Sequence, residues 1–204
     1  MAFPLKLTSR LTGATPSQLR RWRSTGLVVP ETRSFRPPLY SFRDLVAIRA
    51  IAFLRAETSA QKVSKAFASL DIFDLTEHPS RYSFGTDGKT IFVQTPDGAA
   101  LDLVKAPGSI QLFPFEDALG RFTNFKDREV LPLARPAEGI SVRVARMGGW
   151  PTIEGTRIPY DTISALVDFE TVTPADVQHY YPHVSAQQAQ QAVDFSADVE
   201  AVPA

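Results

Sequence analysis

The 204-residue chain contains no cysteine, which excludes disulfides, zinc–thiolate sites and thiol chemistry. It has three histidines, His78, His179 and His183, and Pro182 breaks the helical spacing that would let the last two share a metal. No apolar run reaches the roughly 18 residues of a membrane span. The start, MAFPLKLTSRL, lacks the apolar stretch of a signal peptide, so a cytoplasmic protein is expected. Each end also lacks charge of one sign. No acid precedes Glu31, and no Lys or Arg follows Arg157. Residues 1–70 hold 12 Lys and Arg against Glu31, Asp44 and Glu57, a surplus of nine positive charges. The remainder holds 10 basic and 19 acidic residues, so the formal net charge is zero. A basic front and an acidic back imply two kinds of partner. Catalytic patterns are missing too. Gly148-Gly149 is not followed by a Lys-Ser/Thr pair, no serine sits in a nucleophile elbow, and Asp161, Asp168 and Glu170 read as surface acids. No enzymatic activity, metal or cofactor is expected. With 44% hydrophobic residues, the chain has enough apolar material for a packed core.

The front reads as helical. Leu11-Thr12-Gly13 ends one short helix with glycine at the stop. Thr15 offers an N-cap, with Pro16 at the first position and Gln18 at the third, for a helix over about 16–25. Two short helices joined by a tight turn form a helix-turn-helix candidate. Leu19 and Trp22 can face the core, while Arg20, Arg21 and Arg23 splay outward. Guanidinium groups without acids, beside a helix N-terminus, suit phosphate. Leu27-Val28-Val29-Pro30 and then residues 32–40 read as a small β-wing tipped with Arg33 and Arg36. Ser41 caps a helix over about 42–56, and Ser59 starts another with Val63, Phe67 and Leu70 inside.

The run Leu11-Thr12-Gly13, Leu19-Arg20-Arg21-Trp22, Gly26 to Pro30, Arg36, Leu39-Tyr40-Ser41 and Asp44-Leu45 resembles the MerR-type winged helix-turn-helix. That resemblance implies a recognition helix in the major groove of double-stranded DNA and a wing on the backbone. Thr15, Ser17, Gln18, Arg20, Arg21 and Arg23 would lie on or beside the helix, and Arg33, Arg36 and Tyr40 in the wing. The sequence departs from the family in Pro37-Pro38 and in lacking a long heptad helix after residue 70. The family's coiled-coil dimerisation and metal sensing therefore do not carry over.

From about residue 80 the apolar period becomes two. Tyr82 and Phe84, Ile91 and Val93, Leu101 and Leu103, and Ile110 and Leu112 alternate around two Asp-Gly turns, Asp87-Gly88 and Asp97-Gly98. This predicts an antiparallel meander of three or four strands. Residues 115–125 read as a short helix or loop, and residues 132–139 as a linker. A strand over 140–144 follows. Then come helices over about 160–169, from a Thr173-Pro174-Ala175-Asp176 start to Tyr180, and over 186–195 after Ser185. The overall expectation is an α+β chain. It has a winged helix-turn-helix (1–70), an antiparallel β section (71–131) and a three-helix, helix-turn-helix-like domain (138–204) with an acidic tail.

Ile153, Gly155-Thr156-Arg157-Ile158-Pro159, Thr173-Pro174 and Tyr181-Pro182 are similar to the bacterial domain of unknown function family 433, of VapB-type antitoxin-like character. That resemblance implies a PIN-like ribonuclease toxin as partner, with Gly155, Thr156 and Arg157 in its contact. The tail after Phe195 has no core of its own, so it is expected to be disordered or ordered only by a partner. In the second case Val199 and Val202 would enter an apolar groove, and Asp198 and Glu200 would meet basic residues. Together the two resemblances imply a DNA-binding antitoxin of a type II pair. As a homodimer on an inverted repeat in its own promoter, it would repress its operon and neutralise the toxin. A ligand-responsive MerR-like regulator without a toxin is the alternative, and the β section would then hold the ligand.

Overall fold

Apolar residues three and four apart build the front of the chain. The computed structural model describes residues 1–70, 78–86, 89–94, 100–104 and 119–203. A short strand β1 (Phe3–Pro4) leads into helix α1 (Leu5–Thr12), whose Leu7 and Leu11 are buried. Gly13 ends the helix with φ +75° and returns its N–H to the Ser9 carbonyl, a left-handed stop that glycine adopts without strain. Helix α2 (Pro16–Ser24) starts from Thr15 with both halves of the capping box made, and buries Leu19 and Trp22. Helix α3 (Phe42–Glu57) starts from Ser41 with Asp44 closing the box, and α4 (Ala60–Ala68) from Ser59. Leu45, Ile48, Ile51 and Leu54 line the buried face of α3.

The expected β-wing is reduced to one bridge. Arg33 and Leu39 exchange backbone hydrogen bonds of 3.1 and 2.8 Å, and no longer ladder follows. Pro37 and Pro38 have no N–H to extend it. Strand β2 (Leu39–Tyr40) instead pairs antiparallel with β1, setting Tyr40 opposite Phe3.

The meander is present as β3 (Ser83–Thr86), β4 (Ile91–Gln94) and β5 (Ala100–Asp102), antiparallel in that order. Both Asp-Gly pairs and the expected Ile110/Leu112 strand lie outside the described residues. Phe67 of the α4 face stacks on Phe84 of β3, with centroids 4.8 Å apart, so the sheet is roofed by the front helices. A further hairpin, β6 (Phe122–Thr123) and β7 (Glu129–Val130), falls within the expected β section 71–131, its first strand inside the stretch 115–125 expected as a short helix or loop. The stretch 132–139 is no free linker. Leu133 and Pro136 are buried, Leu133 N–H bonds to the Leu119 carbonyl, and Val142 N–H to that of Ala134. Its proline-rich composition hides apolar members that reach the core.

At the back, β8 (Ile140–Ser141) pairs antiparallel with β9 (Thr152–Ile153), and helices α5 (Tyr160–Leu166), α6 (Val177–Tyr180) and α7 (Ala186–Glu200) follow. Helix α6 starts later than its Thr-Pro signal predicts. The Asp176 carboxylate accepts both the N–H and the hydroxyl of Thr173, closing a turn first. Helix α7 runs five residues beyond its expected end at Phe195. The segment after Phe195 is therefore helix, not a tail without a core: Val199 is only 6% exposed and continues the buried stripe of Ala189, Ala192 and Phe195. One buried cluster joins front, sheets and back. Arg49 of α3, 0% exposed, donates to the carbonyls of Leu11, Gly120 and Leu131 and tilts over the Phe122 ring. Burial lowers its pKa to about 10. No helix among the described residues is long and apolar enough to cross a membrane.

Candidate nucleic-acid interface

The exposed side of α2 carries the cations. The side chains of Arg20 and Arg21 are exposed and make no hydrogen bond or ion pair among the described residues. Leu19 and Trp22, anchored in the core, fix which way they point. Gln18 is already engaged. Its carbonyl oxygen accepts the Thr15 N–H at 2.8 Å and the Thr15 hydroxyl at 3.1 Å, while Thr15 Oγ1 accepts the Gln18 N–H. A bidentate adenine contact needs both the oxygen and the nitrogen of the amide. While the capping box holds, Gln18 can therefore only donate, through its NH2, as to a guanine or thymine oxygen. Ser17 is exposed, with its hydroxyl 3.1 Å from that of Thr15.

The wing candidates separate into three kinds. Arg36 is exposed and unpaired among the described residues. Arg33 is exposed but turned back, Nε donating to the Pro37 carbonyl at 2.9 Å. Arg23 bridges helix and loop, donating to the Ser34 carbonyl at 3.2 Å and lying 5.8 Å from the centre of the Phe35 ring. Tyr40 corrects the sequence reading. It is 1% exposed, packed in the core, and its hydroxyl has no hydrogen-bond partner among the described residues. Burial raises its pKa, partly offset by the Arg23 charge. It pairs with Phe3 across β1–β2, so it supports the loop from beneath and presents no hydroxyl to solvent. The sequence missed Phe35, which stands 74% exposed among these arginines.

Two other cations of the front are occupied. Lys6 pairs with Glu200 at 2.8 Å, and Arg10 with Asp198 at 3.0 Å, while Arg10 also lies over the Phe195 ring. The acids expected to meet a partner's basic residues are thus met by α1 of the same chain. Val199 is buried and Val202 half-buried. Of the other partner candidates, Gly155 (φ +80°) and Arg157 are exposed in the turn after β9, and Arg157 makes no bond among the described residues. Thr156 closes that turn through its hydroxyl, donating to the Ile153 carbonyl and accepting the Ile158 N–H.

His78, Asp44 and Glu31 gather their donor atoms within 4.8 Å, the one such group among the described residues. Asp44 Oδ2 accepts the N–H groups of Glu31 and Ser41, and Oδ1 faces His78 Nε2 at 3.1 Å. This network braces the start of α3.

Residues 3–65 match the family described as MerR HTH family regulatory protein, and residues 140–196 the family described as protein of unknown function, DUF433. The chain thus carries both domains that its motifs resemble, in that order. No curated protein matches it. The crystal structure of Rv2018 from Mycobacterium tuberculosis is similar over 94% of this chain and 96% of that one, with a TM-score of 0.52 and 15% identity. That likeness concerns the fold. The MerR-type domain marks a DNA-binding regulator.

Proposed function

We propose that the chain is a homodimeric repressor that binds an inverted repeat in its own promoter, and that its C-terminal domain is the antitoxin for a PIN-like ribonuclease encoded beside it. The observation that carries the DNA reading is the exposed pair Arg20 and Arg21, unpaired among the described residues, on a helix whose other face is locked in the core. Such a helix end enters the major groove, where arginine reads guanine. Arg36 holds the backbone from the loop. The antitoxin reading is supported by the family 433 resemblance and by a domain with no cation after Arg157. Asp168 contributes a fixed charge. Hydrogen bonds from the Thr171 hydroxyl and from the Val172 and Thr171 N–H groups hold its carboxyl well below the usual carboxylate range. An acidic surface complements the basic groove of a ribonuclease. The Gly155–Thr156–Arg157 turn, closed by half-buried Thr156 and exposing Gly155 and Arg157, is the contact we assign to the toxin. Asp198 and Glu200 face α1 and would have to leave Lys6 and Arg10 to take part.

A gel-shift titration on the upstream region tests the first half. Arg20→Ala or Arg21→Ala should cost about 1–3 kcal/mol at one base pair, whereas Arg36→Ala should weaken all sequences alike. Folded protein that fails to bind at low salt ends the proposal. Co-expression with the neighbouring reading frame tests the second half. Neutralisation that survives Arg157→Glu unchanged removes the turn from the contact. DNA binding with no protein partner at all favours the ligand-responsive regulator.

A further inference from the structure

We propose that the β6–β7 hairpin is a third DNA contact, with Lys126 and Arg128 holding the phosphate backbone beside the start of α2. The inference rests on the DNA-binding reading and adds an element that lies outside both matched segments, 3–65 and 140–196.

The hairpin is bolted to the helix-turn-helix rather than draped near it. Asn124 Nδ2 donates to the Gly13 carbonyl at 2.9 Å, in the turn between α1 and α2. The Asn124 oxygen accepts the N–H groups of Lys126 (2.9 Å) and Arg128 (3.2 Å), so one side chain fixes both the tip and its mount. Val130 fills the space beside Gly13, where an added Cβ would fall 2.4 Å from its Cγ2. Between them runs an open groove of about 590 Å³, with Thr15, Pro16 and Ser17 on one wall and Asn124, Lys126 and Arg128 on the other.

The charges around this groove leave a positive remainder. Glu129 is neutralised by Arg121 at 2.8 Å, and Asp198 by Arg10 at 3.0 Å. Lys126 and Arg128 are exposed and make no side-chain hydrogen bond or ion pair among the described residues; Lys126 lies 5.9 Å from the centre of the Phe125 ring. Asp127 is the one unpaired acid of the tip, where φ is +54°. Two cations against one acid, held rigidly beside a recognition-helix N-terminus, face the path a phosphate strand takes when that helix sits in the major groove. The contact would be independent of sequence. The loop cations near Arg36 follow the C-terminal end of α2, and the hairpin flanks its N-terminal end, so the backbone would be held on both sides of the reading helix.

The test uses the full-length double variant Lys126→Ala/Arg128→Ala, with its thermal melt checked against the wild type. Fluorescence anisotropy follows binding to a duplex from the upstream region and to an unrelated duplex, across a salt titration. Both affinities should fall by the same factor, and the slope of log K against log salt should shrink by about 3.6 for the dimer, two contacts in each protomer at roughly 0.9 per lost phosphate contact. A wild type that binds while the double variant keeps its slope overturns the hairpin contact and leaves the DNA reading standing. Loss of affinity for the upstream duplex alone also overturns it, because that is base reading. If the wild type binds neither duplex at low salt, the DNA reading and this inference fall together.

Discussion

Helix α2 near the front and helix α7 at the back begin alike. In each, a hydroxyl residue caps the helix and a glutamine three positions on returns its carbonyl oxygen to the cap N–H, at 2.8 Å in Thr15/Gln18 and 3.0 Å in Ser185/Gln188. Their free faces differ. Helix α2 shows Arg20 and Arg21 to solvent with no ion pair among the described residues; α7 has no Lys or Arg, and its last turn sends Asp198 and Glu200 back to Arg10 and Lys6 of α1. Capping therefore decides where a helix starts, and the charge on the exposed face decides what it can meet. The opposite charges at the two ends are also not wholly reserved for outside partners. Part of each is spent where α1 and α7 touch, while Arg20, Arg21 and Arg36 of the front and Lys126 and Arg128 of the hairpin stay unpaired among the described residues.

The largest effect should come from cutting the joint between the front and the middle. Arg49→Ala removes a buried donor from the Leu11, Gly120 and Leu131 carbonyls and should cost about 3–5 kcal/mol in urea unfolding. A loss under 1 kcal/mol would mean that water replaces the guanidinium, with about 1 kcal/mol being an ordinary net hydrogen bond. Next come two of the left-handed glycines, Gly13 and Gly155. Gly13→Ala combines backbone strain with a collision against Val130 and should cost about 3 kcal/mol, summing the usual ranges. Gly155→Ala has the same sign of φ but open space around it, so about 1 kcal/mol of strain is expected. Equal losses would show that Val130 moves aside and that the hairpin is less firmly mounted than its contacts indicate. Smaller again is Val199→Ala, at about 1.5 kcal/mol for two buried methyl groups. No change in melting temperature there would return the last turn of α7 to the status of a frayed end.

Local signals in this sequence are informative, and tertiary ones are not visible in it. Thr15, Ser41, Ser59 and Ser185 marked helix starts, Gly13 marked a stop, and the alternation around Phe84 and Val93 marked the meander, because each depends on neighbours within a few residues. Tyr40 could not be placed inward from its position in a basic loop, since its burial depends on β1 pairing with β2. Gln18 lies among the DNA-contact candidates of α2, yet the same capping-box spacing that marks Thr15 already commits its carbonyl oxygen. The extension of α7 is legible in the sequence: Ala189, Ala192, Phe195 and Val199 follow one another at helical spacing, although Asp198 and Glu200 flank the last of them. The β6–β7 hairpin was missed because its strands are two residues long and its position is set by Gly13, far away in sequence. Of the proposed interface, Arg20, Arg21 and Arg36 are legible in the sequence and stand exposed, whereas Lys126 and Arg128 need the fold.

The smallest expected effect is the one that tests the comparison of the two ends most directly. Lys6–Glu200 and Arg10–Asp198 are surface pairs, and such pairs contribute about 0.2–1 kcal/mol each and weaken in salt. Arg10 is the better ordered cation, because its guanidinium also lies 5.6 Å from the centre of the Phe195 ring. A double-mutant cycle with Arg10→Met and Asp198→Asn, read by urea unfolding, should return a coupling inside that range at low ionic strength and close to zero in 1 M salt. Arg10→Met alone should cost more than Asp198→Asn alone, since it also removes the cation from the Phe195 face. A coupling that persists in 1 M salt would not be electrostatic. A coupling absent at low salt would leave Phe195 and Val199 to hold α7 against the front by apolar packing alone, with Asp198 and Glu200 then available to an external basic partner.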